Sequence, residues 1–492
     1  MGRVRAETTF QENAFEAYTL ELAREHKIPG LAVVAARDGF TVYARGFGFA
    51  DVEHAIPAGA DTVFGVGSVT KSFTAAAIMR LQDAGRLSAG DPAVKYLPEL
   101  RIPGGDATKI TIHHFLTHTA GLPPLPSRWY AFARSALADP EGEAPPVPVA
   151  ARPPIETPED LMAYLAESDW VPLGPPGAQF SYSNEGYALL GAIVARVSGR
   201  AYARYVIEEI LEPAGLHHTT FGPRPDSIPL GMATPYISRA DAGQGDVVPA
   251  RSWWYSETWL PAGGVCSTAA DLVRYLELFC TGGTVGGRRI LSEARVAAMT
   301  GPHIEVWPGV GYAYGYGLSV LQDYRGGALF EHGGGRRSIS AHVAGVPARG
   351  LAVVALANLA NVPVRAIANG LLNVLAGMPV ETPPLSFPDY ACPAERLAAY
   401  VGEYRSGEGA ILRVRIDGAV LVIDADGLQL TARPVGVDAF VVRPRGTDQY
   451  VRFLMDDSGR ARAILYGLRI IARAGMNESH TLMEEDRARR PV

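Results

Sequence analysis

Ser68 and Lys71 are the residues whose types and spacing most directly indicate chemistry, in the stretch FGVGSVTK that begins at Phe64. Residues three positions apart share a helix face, so a helix here would bring the Ser68 hydroxyl and the Lys71 amine together. A serine becomes a nucleophile when a neighbour takes its proton. Lysine can do so when its surroundings lower its pKa from about 10.4. The bare tetrapeptide is also typical of a serine helix cap followed by a solvated lysine.

Tyr182 and Asn184 form a second polar pair, just before a predicted helix. A phenol near an ammonium group loses its proton more readily and can act as a general base. The Asn184 amide can donate to a substrate carbonyl and also hold Lys71. Taken alone, the pattern is better explained by an asparagine helix cap beside a half-buried tyrosine.

His332 is followed by three glycines, Gly333, Gly334 and Gly335, ahead of two predicted paired strands at 338–346 and 351–358. Glycines at a strand edge allow a substrate to approach the backbone. Their N–H groups are candidate donors to an oxyanion. A glycine turn with an incidental histidine would give the same pattern.

The elements that must position these residues follow from hydrophobic periodicity and turn signals. Two β-rich runs in 28–51 flank Asp38-Gly39 and predict a hairpin. Ser68 is expected to cap the helix that carries Lys71. Helices are predicted at 10–27, 68–87, 158–167, 184–198 and 269–280.

Two proline-rich stretches divide the chain. Residues 140–158 are interpreted as an insertion loop within a first domain, 1–377, and 378–393 as a linker. A second domain at 394–480 precedes a tail at 481–492. Its short alternating runs, separated by turn signals, predict a small antiparallel barrel or sandwich. These runs are 411–416, 420–423, 428–430, 439–442, 450–454 and 463–468.

Composition narrows the class of protein. The 492 residues carry a formal net charge of −6, which gives no indication of nucleic-acid binding. Three cysteines give no disulfide framework, and no run is long enough to span a membrane, so a cytoplasmic protein is expected.

His114 and His118 are four residues apart, but no HExxH motif is present and no metal is expected. No G-x-S-x-G elbow occurs, which disfavours an α/β-hydrolase.

The three motifs occur in the order seen in penicillin-recognising serine hydrolases. The chain resembles class C β-lactamases and the related D-aminopeptidases and esterases over about residues 10–375. Three further stretches carry the resemblance: TIHHFLTHTAGLP from Thr111, PAGGVCSTAADL from Pro261 and GYGL from Gly315. The resemblance implies an α/β fold of the β-lactamase/transpeptidase type: an antiparallel sheet flanked by helices, with a helical subdomain and the cleft between them. The C-terminal strands are similar to the lipocalin-like barrel of D-aminopeptidase-like members, where the barrel can form one wall of the cleft.

Site roles follow from the same resemblance, position by position. Ser68 matches the nucleophile, Lys71 the lysine that shares its proton, and Tyr182 the general base. Asn184 matches the residue that faces the acyl amide. The N–H groups of Ser68 and Gly335 match the oxyanion pair.

One departure concerns His332, Gly333 and Gly334, which stand where β-lactamases and DD-peptidases have Lys-Thr-Gly. The change implies weaker capture of a substrate carboxylate and favours a D-aminopeptidase, amidase or esterase acting on small molecules or short peptides. The alternatives are a β-lactamase or DD-carboxypeptidase, an acyltransferase, and a non-catalytic penicillin-binding-like sensor. No cofactor, nucleic acid or membrane partner is expected, and a homo-oligomer is left open.

Overall fold

The first part of the chain is built on a nine-stranded antiparallel sheet. The computed structural model describes residues 2–139, 145–224, 227–239, 246–250, 252–425 and 427–475. The sheet order is β11-β12-β13-β14-β15-β16-β1-β2-β3. The strands up to residue 357 are β1 Gly30–Arg37, β2 Phe40–Asp51, β3 Ile56–Pro57, β4 Phe64–Gly65, β5 Thr220–Phe221, β6 Tyr236–Arg239, β7 Asp246–Pro249, β8 Val265–Ser267, β9 Thr284–Val285, β10 Arg288–Arg289, β11 Ile304–Trp307, β12 Tyr312–Tyr314, β13 Ser319–Tyr324, β14 Gly327–Arg336, β15 Ile339–Val346 and β16 Leu351–Ala357.

The described residues form fourteen α-helices, some of which cover the two faces of this sheet. They are α1 Gly2–Glu25, α2 Thr70–Asp83, α3 Ile112–Leu116, α4 Ser127–Ala131, α5 Ala133–Leu137, α6 Pro158–Glu167, α7 Asn184–Ser198, α8 Tyr202–Val206, α9 Glu212–Ala214, α10 Leu260–Gly263, α11 Ala269–Cys280, α12 Glu293–Thr300, α13 Val364–Leu375 and α14 Ala394–Leu397.

Strand β1 is buried on both faces because it lies in the middle of the sheet. Successive side chains point to opposite sides, so Ala32 and Val34 join the core around α2, α7 and α11. Val33 and Ala35 join the core around α13. Helix α11 therefore covers one face, and α13 with α1 covers the other. The expected α/β architecture is confirmed.

The C-terminal strands form a closed eight-stranded antiparallel barrel. Its strands are β17 Gly402–Arg405, β18 Ile411–Asp417, β19 Val420–Ala425, β20 Leu428–Gly436, β21 Ala439–Val442, β22 Gln449–Met455, β23 Ala461–Tyr466 and β24 Arg469–Arg473. The predicted barrel is confirmed. The sequence interpretation lacked β17 and β24, whose pairing of Tyr404 with Arg473 closes the barrel, because these short strands are rich in charged residues.

The predicted hairpin and helices are present, with two corrections. Ser68 does not cap the helix that carries Lys71: it lies in a single 3-10 turn, Gly67–Val69, and α2 begins at Thr70 without a side-chain cap. That helix ends at Asp83 because Gly85 takes the left-handed conformation, with φ +67°. Helices α6 and α7 have the predicted bounds, 158–167 and 184–198.

The domain boundaries remain a proposal. Part of the proline-rich insertion, 140–144, lies outside the described residues, as do 476–480 of the second domain and the tail 481–492. Residues 149–151 of the insertion form one 3-10 turn. Among the described residues, no helix combines the length and apolar character needed to cross a bilayer.

Candidate active site

The turn that carries Ser68 is pressed against β14 of the central sheet. Gly67 has φ +51°, and a Cβ at this position would lie 2.9 Å from the amide nitrogen of Gly335. A Cβ at Gly334 would lie 1.9 Å from the Val66 carbonyl oxygen. Only glycine fits at either position, since both backbones approach without room for a side chain. The contact places the Gly335 N–H beside Ser68, as an oxyanion pair requires.

Lys71 lies one helical turn after Ser68 and is fully buried. Its Nζ is 3.1 Å from Ser68 Oγ, 2.9 Å from Asn184 Oδ1 and 2.7 Å from the Ala262 carbonyl oxygen. The last two atoms can only accept, whereas the Ser68 hydroxyl can also donate. A neutral lysine thus donates to Asn184 and Ala262 and turns its lone pair toward the Ser68 O–H. This is the arrangement that a general base needs.

The surroundings of Lys71 favour that neutral state. Burial lowers the pKa of Lys71 well below its ordinary value, and the Arg469 guanidinium lowers it further. The Glu408 and Glu185 carboxylates act in the opposite direction. Arg469 and Glu408 both belong to the C-terminal part of the chain, which therefore bears on the charge of the candidate base.

Asn184 connects Lys71 to the barrel. Ser183 caps α7 through the N–H of Gly186, which leaves Asn184 in the first turn, facing the cleft. The Asn184 Nδ2 donates to Glu408 Oε1 at 3.1 Å. Because a carboxylate can only accept, this bond orients the amide with its oxygen toward Lys71.

Tyr182 lies between the Lys71 amine and the Arg469 guanidinium. The Lys71 Nζ is 4.8 Å and the Arg469 guanidinium carbon 4.9 Å from the centre of its ring. Its hydroxyl is buried and makes no hydrogen bond within the part of the chain that the structure describes. Burial raises the pKa of Tyr182, although the Arg469 guanidinium opposes the shift. The phenol is therefore protonated in the free protein.

A hydrogen-bond chain fixes the state of His332. The Ser183 N–H donates to His118 Nδ1 at 3.0 Å, so His118 carries its proton on Nε2, which lies 3.2 Å from the Tyr314 hydroxyl. That hydroxyl lies 3.1 Å from His332 Nε2, and His332 Nδ1 lies 2.6 Å from the Gly333 carbonyl oxygen. A carbonyl only accepts, so His332 Nδ1 is protonated and Nε2 accepts from Tyr314.

Burial and the nearby Lys71 lower the pKa of His332 to about 3. His332 is thus neutral at physiological pH, with both ring nitrogens engaged. It supplies no positive charge where the resembling enzymes carry a lysine.

Glu331, the neighbour of His332, anchors this part of β14. Its carboxylate accepts from the Tyr312 hydroxyl at 2.8 Å and lies 3.0 Å from His342 Nε2. Arg365 on α13 completes the set with a two-pronged ion pair. Burial raises the pKa of Glu331, but Arg365 and His342 outweigh it and hold the pKa below its usual range.

The barrel forms one wall of the site. The Tyr182 N–H donates to the Leu468 carbonyl at 2.8 Å, and the Ile470 N–H donates to Ser181 Oγ at 3.3 Å. Arg469, between them, pairs with Glu408. The Trp129 Nε1 donates to the Glu408 carbonyl at 3.1 Å. Segments around 408 and 469 are thereby fixed beside the candidate catalytic residues.

Two cavities meet at Ser68. One, of about 490 Å³, extends past His332 and the glycines of β14 toward the barrel. The other, of about 100 Å³, lies by Asn184 and α10. Tyr255 and Trp259 line this smaller cavity. Trp254 is buried and donates to Asp139.

The structure brings together all the residues that the motifs singled out. It adds several that sequence reasoning missed: Glu408, Arg469, Tyr314 and the Ala262 carbonyl. Glu408 lies 224 positions from its partner Asn184, and nothing in the motif spacing indicates their contact. Among the described residues, no group of three potential metal ligands lies close enough to hold an ion.

Glu408 is expected to position Asn184, which its removal would test. In Glu408→Ala the Asn184 amide loses the acceptor that orients it, so kcat should fall about tenfold, the usual effect of losing a hydrogen bond to a charged group. Glu408→Gln keeps a carbonyl acceptor and should retain most of the activity. The control is Glu403→Ala, which removes a partly exposed barrel carboxylate paired with Arg405 and Arg413. Equal activity in Glu408→Ala and wild type would contradict this role.

Comparison with known proteins agrees with the geometry. Residues 10–377 match the family model described as Beta-lactamase. The chain belongs to the beta-lactamase family. Esterase EstB of Burkholderia gladioli is 29% identical over an alignment of 333 residues that covers 63% of this chain and 80% of the esterase.

Two solved structures extend the likeness. The octameric penicillin-binding protein homologue from Pyrococcus abyssi is 28% identical, has a TM-score of 0.66, and aligns over 93% of this chain and 99% of its own. The D-stereospecific amidohydrolase from Streptomyces sp. is 26% identical, has a TM-score of 0.56, and covers 68% of this chain and 90% of its own. Family members are serine hydrolases that include esterases, D-amino acid amidases and β-lactamases.

Proposed function

We propose that the protein is a serine hydrolase that forms an acyl-enzyme on Ser68 and acts on small amides, D-amino-acid peptides or carboxylic esters. The observation that carries this proposal is the Lys71 amine, buried, low in pKa and 3.1 Å from Ser68 Oγ. The names of an esterase and a D-stereospecific amidohydrolase among its relatives support the substrate class.

Acylation begins when Ser68 Oγ attacks the substrate carbonyl carbon and its proton passes to Lys71 Nζ. The N–H groups of Ser68 and Gly335 stabilise the oxyanion. As the intermediate collapses, the bond to the leaving amine or alcohol breaks and the leaving group takes a proton. Tyr182 is protonated and buried, so it is the donor that the environment favours for this step.

Deacylation reverses these roles. The Tyr182 phenolate, stabilised by Lys71 and Arg469 near its ring, takes a proton from water. The water oxygen attacks the acyl carbon, the bond to Ser68 breaks, and Ser68 recovers its proton. The resemblance assigns Tyr182 as a general base, and in this scheme it acts as a base after it has first acted as an acid.

Parallel rate assays on D-alanine p-nitroanilide and p-nitrophenyl butyrate, with wild type and Ser68→Ala, test the proposal. Cleavage of the anilide that depends on Ser68 would support a D-aminopeptidase or amidase. Cleavage of the ester alone would place the protein with the esterases. Because His332 is neutral and fully hydrogen-bonded, nitrocefin should be a poor substrate. Hydrolysis of neither chromogenic substrate above the Ser68→Ala background would count against the proposal.

The pH dependence of kcat/KM should report the lowered pKa of Lys71. Lysine is a base only when neutral, so activity should rise with pH through that pKa, and the rise should lie well below the ordinary value of about 10.4. Arg469 is the largest neighbouring charge that lowers this pKa. In Arg469→Met the acid limb should therefore move to higher pH, whereas Arg460→Met, an exposed barrel arginine, should leave it in place. An unmoved limb in Arg469→Met would contradict this assignment.

A further inference from the structure

The smaller cavity beside Ser68 is rich in arginine. Arg128, Arg336 and Arg469 line it, together with Ser68 and Asn184. No aspartate or glutamate is among its described lining residues. Its remaining walls are glycines, the aromatic residues Phe132, Tyr255 and Trp259, and Ser256, Leu260 and Ala262.

Arg469 already has a counter-ion, whereas the other two arginines have none among the described residues. Glu408 neutralises Arg469. Arg336 donates to the Trp254 carbonyl oxygen, and its Nε has no hydrogen-bond partner among the residues that the structure describes. Burial lowers the pKa of Arg336, with no carboxylate opposing the shift. Arg128 lies over the Trp129 ring, 4.5 Å from its centre. Neither Arg128 nor Arg336 forms an ion pair with any described carboxylate.

Shielding a guanidinium group from water without a counter-ion costs free energy. Binding of an anion between two such groups is therefore favoured. The planar arginine fork matches a carboxylate in particular. The larger cavity contrasts with this one, because carboxylates accompany its arginines: the partly buried Arg365 is paired with Glu331, and Asp448 also lines the cavity. The excess positive charge is therefore on the Asn184 side of Ser68, where the acyl portion of a substrate would lie.

We propose, on the basis of the proposed acyl-enzyme function, that the acyl group of the preferred substrate carries a carboxylate, which Arg128 and Arg336 bind. The cavity, of about 100 Å³, suits a small acyl group. Half-amides or half-esters of small dicarboxylic acids have the required chemistry. The aromatic walls accommodate its carbon skeleton.

Two isosteric boronic acids provide the test: 3-carboxyphenylboronic acid and 3-carbamoylphenylboronic acid. In each, Ser68 Oγ adds to the trigonal boron, a B–O bond forms, no bond to boron breaks, and the Oγ proton passes to Lys71. Boron takes the negative charge and imitates the tetrahedral intermediate. Inhibition constants are measured against hydrolysis of p-nitrophenyl butyrate and, for variants without activity, by calorimetry.

The carboxylate should bind at least about tenfold more tightly than the carboxamide, the usual scale of a charge-assisted hydrogen bond. Arg128→Met should remove this preference and leave binding of the carboxamide within about twofold. Arg336→Met should act in the same direction, and the exposed Arg134→Met, whose arginine pairs with Glu156, should have no effect. Equal or weaker binding of the carboxylate to wild type would overturn the inference. Absence of Ser68-dependent binding by both boronates would instead contradict the acyl-enzyme function itself.

Discussion

Ser68→Ala should reduce kcat/KM for any hydrolysed ester or amide by at least about a thousandfold, the usual scale for loss of a catalytic nucleophile. The alanine leaves the carbonyl carbon without an attacking group, whereas Lys71 keeps its bonds to Asn184 and Ala262. The fold should therefore persist, and the variant should still bind substrate. Steady-state kinetics with both chromogenic substrates measures the loss.

Ser72→Ala is the matched control for this variant. Ser72 lies in the first turn of α2, directly after the turn that carries Ser68, and its buried hydroxyl donates to the Val69 carbonyl at 2.8 Å. Its loss should cost about 1 kcal/mol of stability and leave kcat near that of wild type. Activity of Ser68→Ala close to wild type would rule out the proposed nucleophile.

Lys71→Met should reduce kcat by a similar factor of about a thousand. Methionine fills the same buried volume with a flexible unbranched chain but offers no lone pair to the Ser68 hydroxyl. The Ser68 proton then has no base within hydrogen-bond distance, since the Tyr182 phenol is itself protonated. Single-turnover kinetics should place the loss in acylation. Rapid acylation followed by slow release would contradict the role of Lys71 as the first base.

The same variant should be more stable than wild type at neutral pH. The pKa of Lys71 is lower in the folded chain than in the unfolded one, so the unfolded chain binds more protons below a pH of about 10.4. This difference penalises the folded wild type at neutral pH, and the penalty fades as the pH rises toward that value. The gain in melting temperature of Lys71→Met should accordingly shrink in alkaline buffer. A gain that is the same at both pH values would contradict burial of an uncharged lysine.

Local signals in the sequence predict much of the fold. Asp38 and Gly39 both take positive φ and form the predicted hairpin turn. Thr157 and Ser183 cap helices whose bounds match the periodicity. The barrel was predictable from turn spacing, except for the two strands that close it. Closure depends on a pairing between the first and last strands, which no local pattern encodes.

The candidate site likewise contains some contacts that local sequence predicts and others that it does not. The spacing of Ser68 and Lys71 fixes their contact because one helical turn links them. The orientation of Asn184 depends on Glu408, and the tautomer of His332 depends on Tyr314 and His118, all from distant segments. These contacts arise only when the sheet, the helical subdomain and the barrel pack together, so they follow from the tertiary structure alone.

Intact-protein mass spectrometry on samples acid-quenched during turnover of p-nitrophenyl butyrate tests the acyl-enzyme most directly. We expect a population heavier by one butyryl group, with the addition mapped by peptide fragmentation to Ser68 and absent from Ser68→Ala and Lys71→Met. Acyl transfer to another residue would contradict the proposed mechanism. Steady hydrolysis without any acylated protein would also contradict it, provided that single-turnover kinetics shows deacylation to be the slower step.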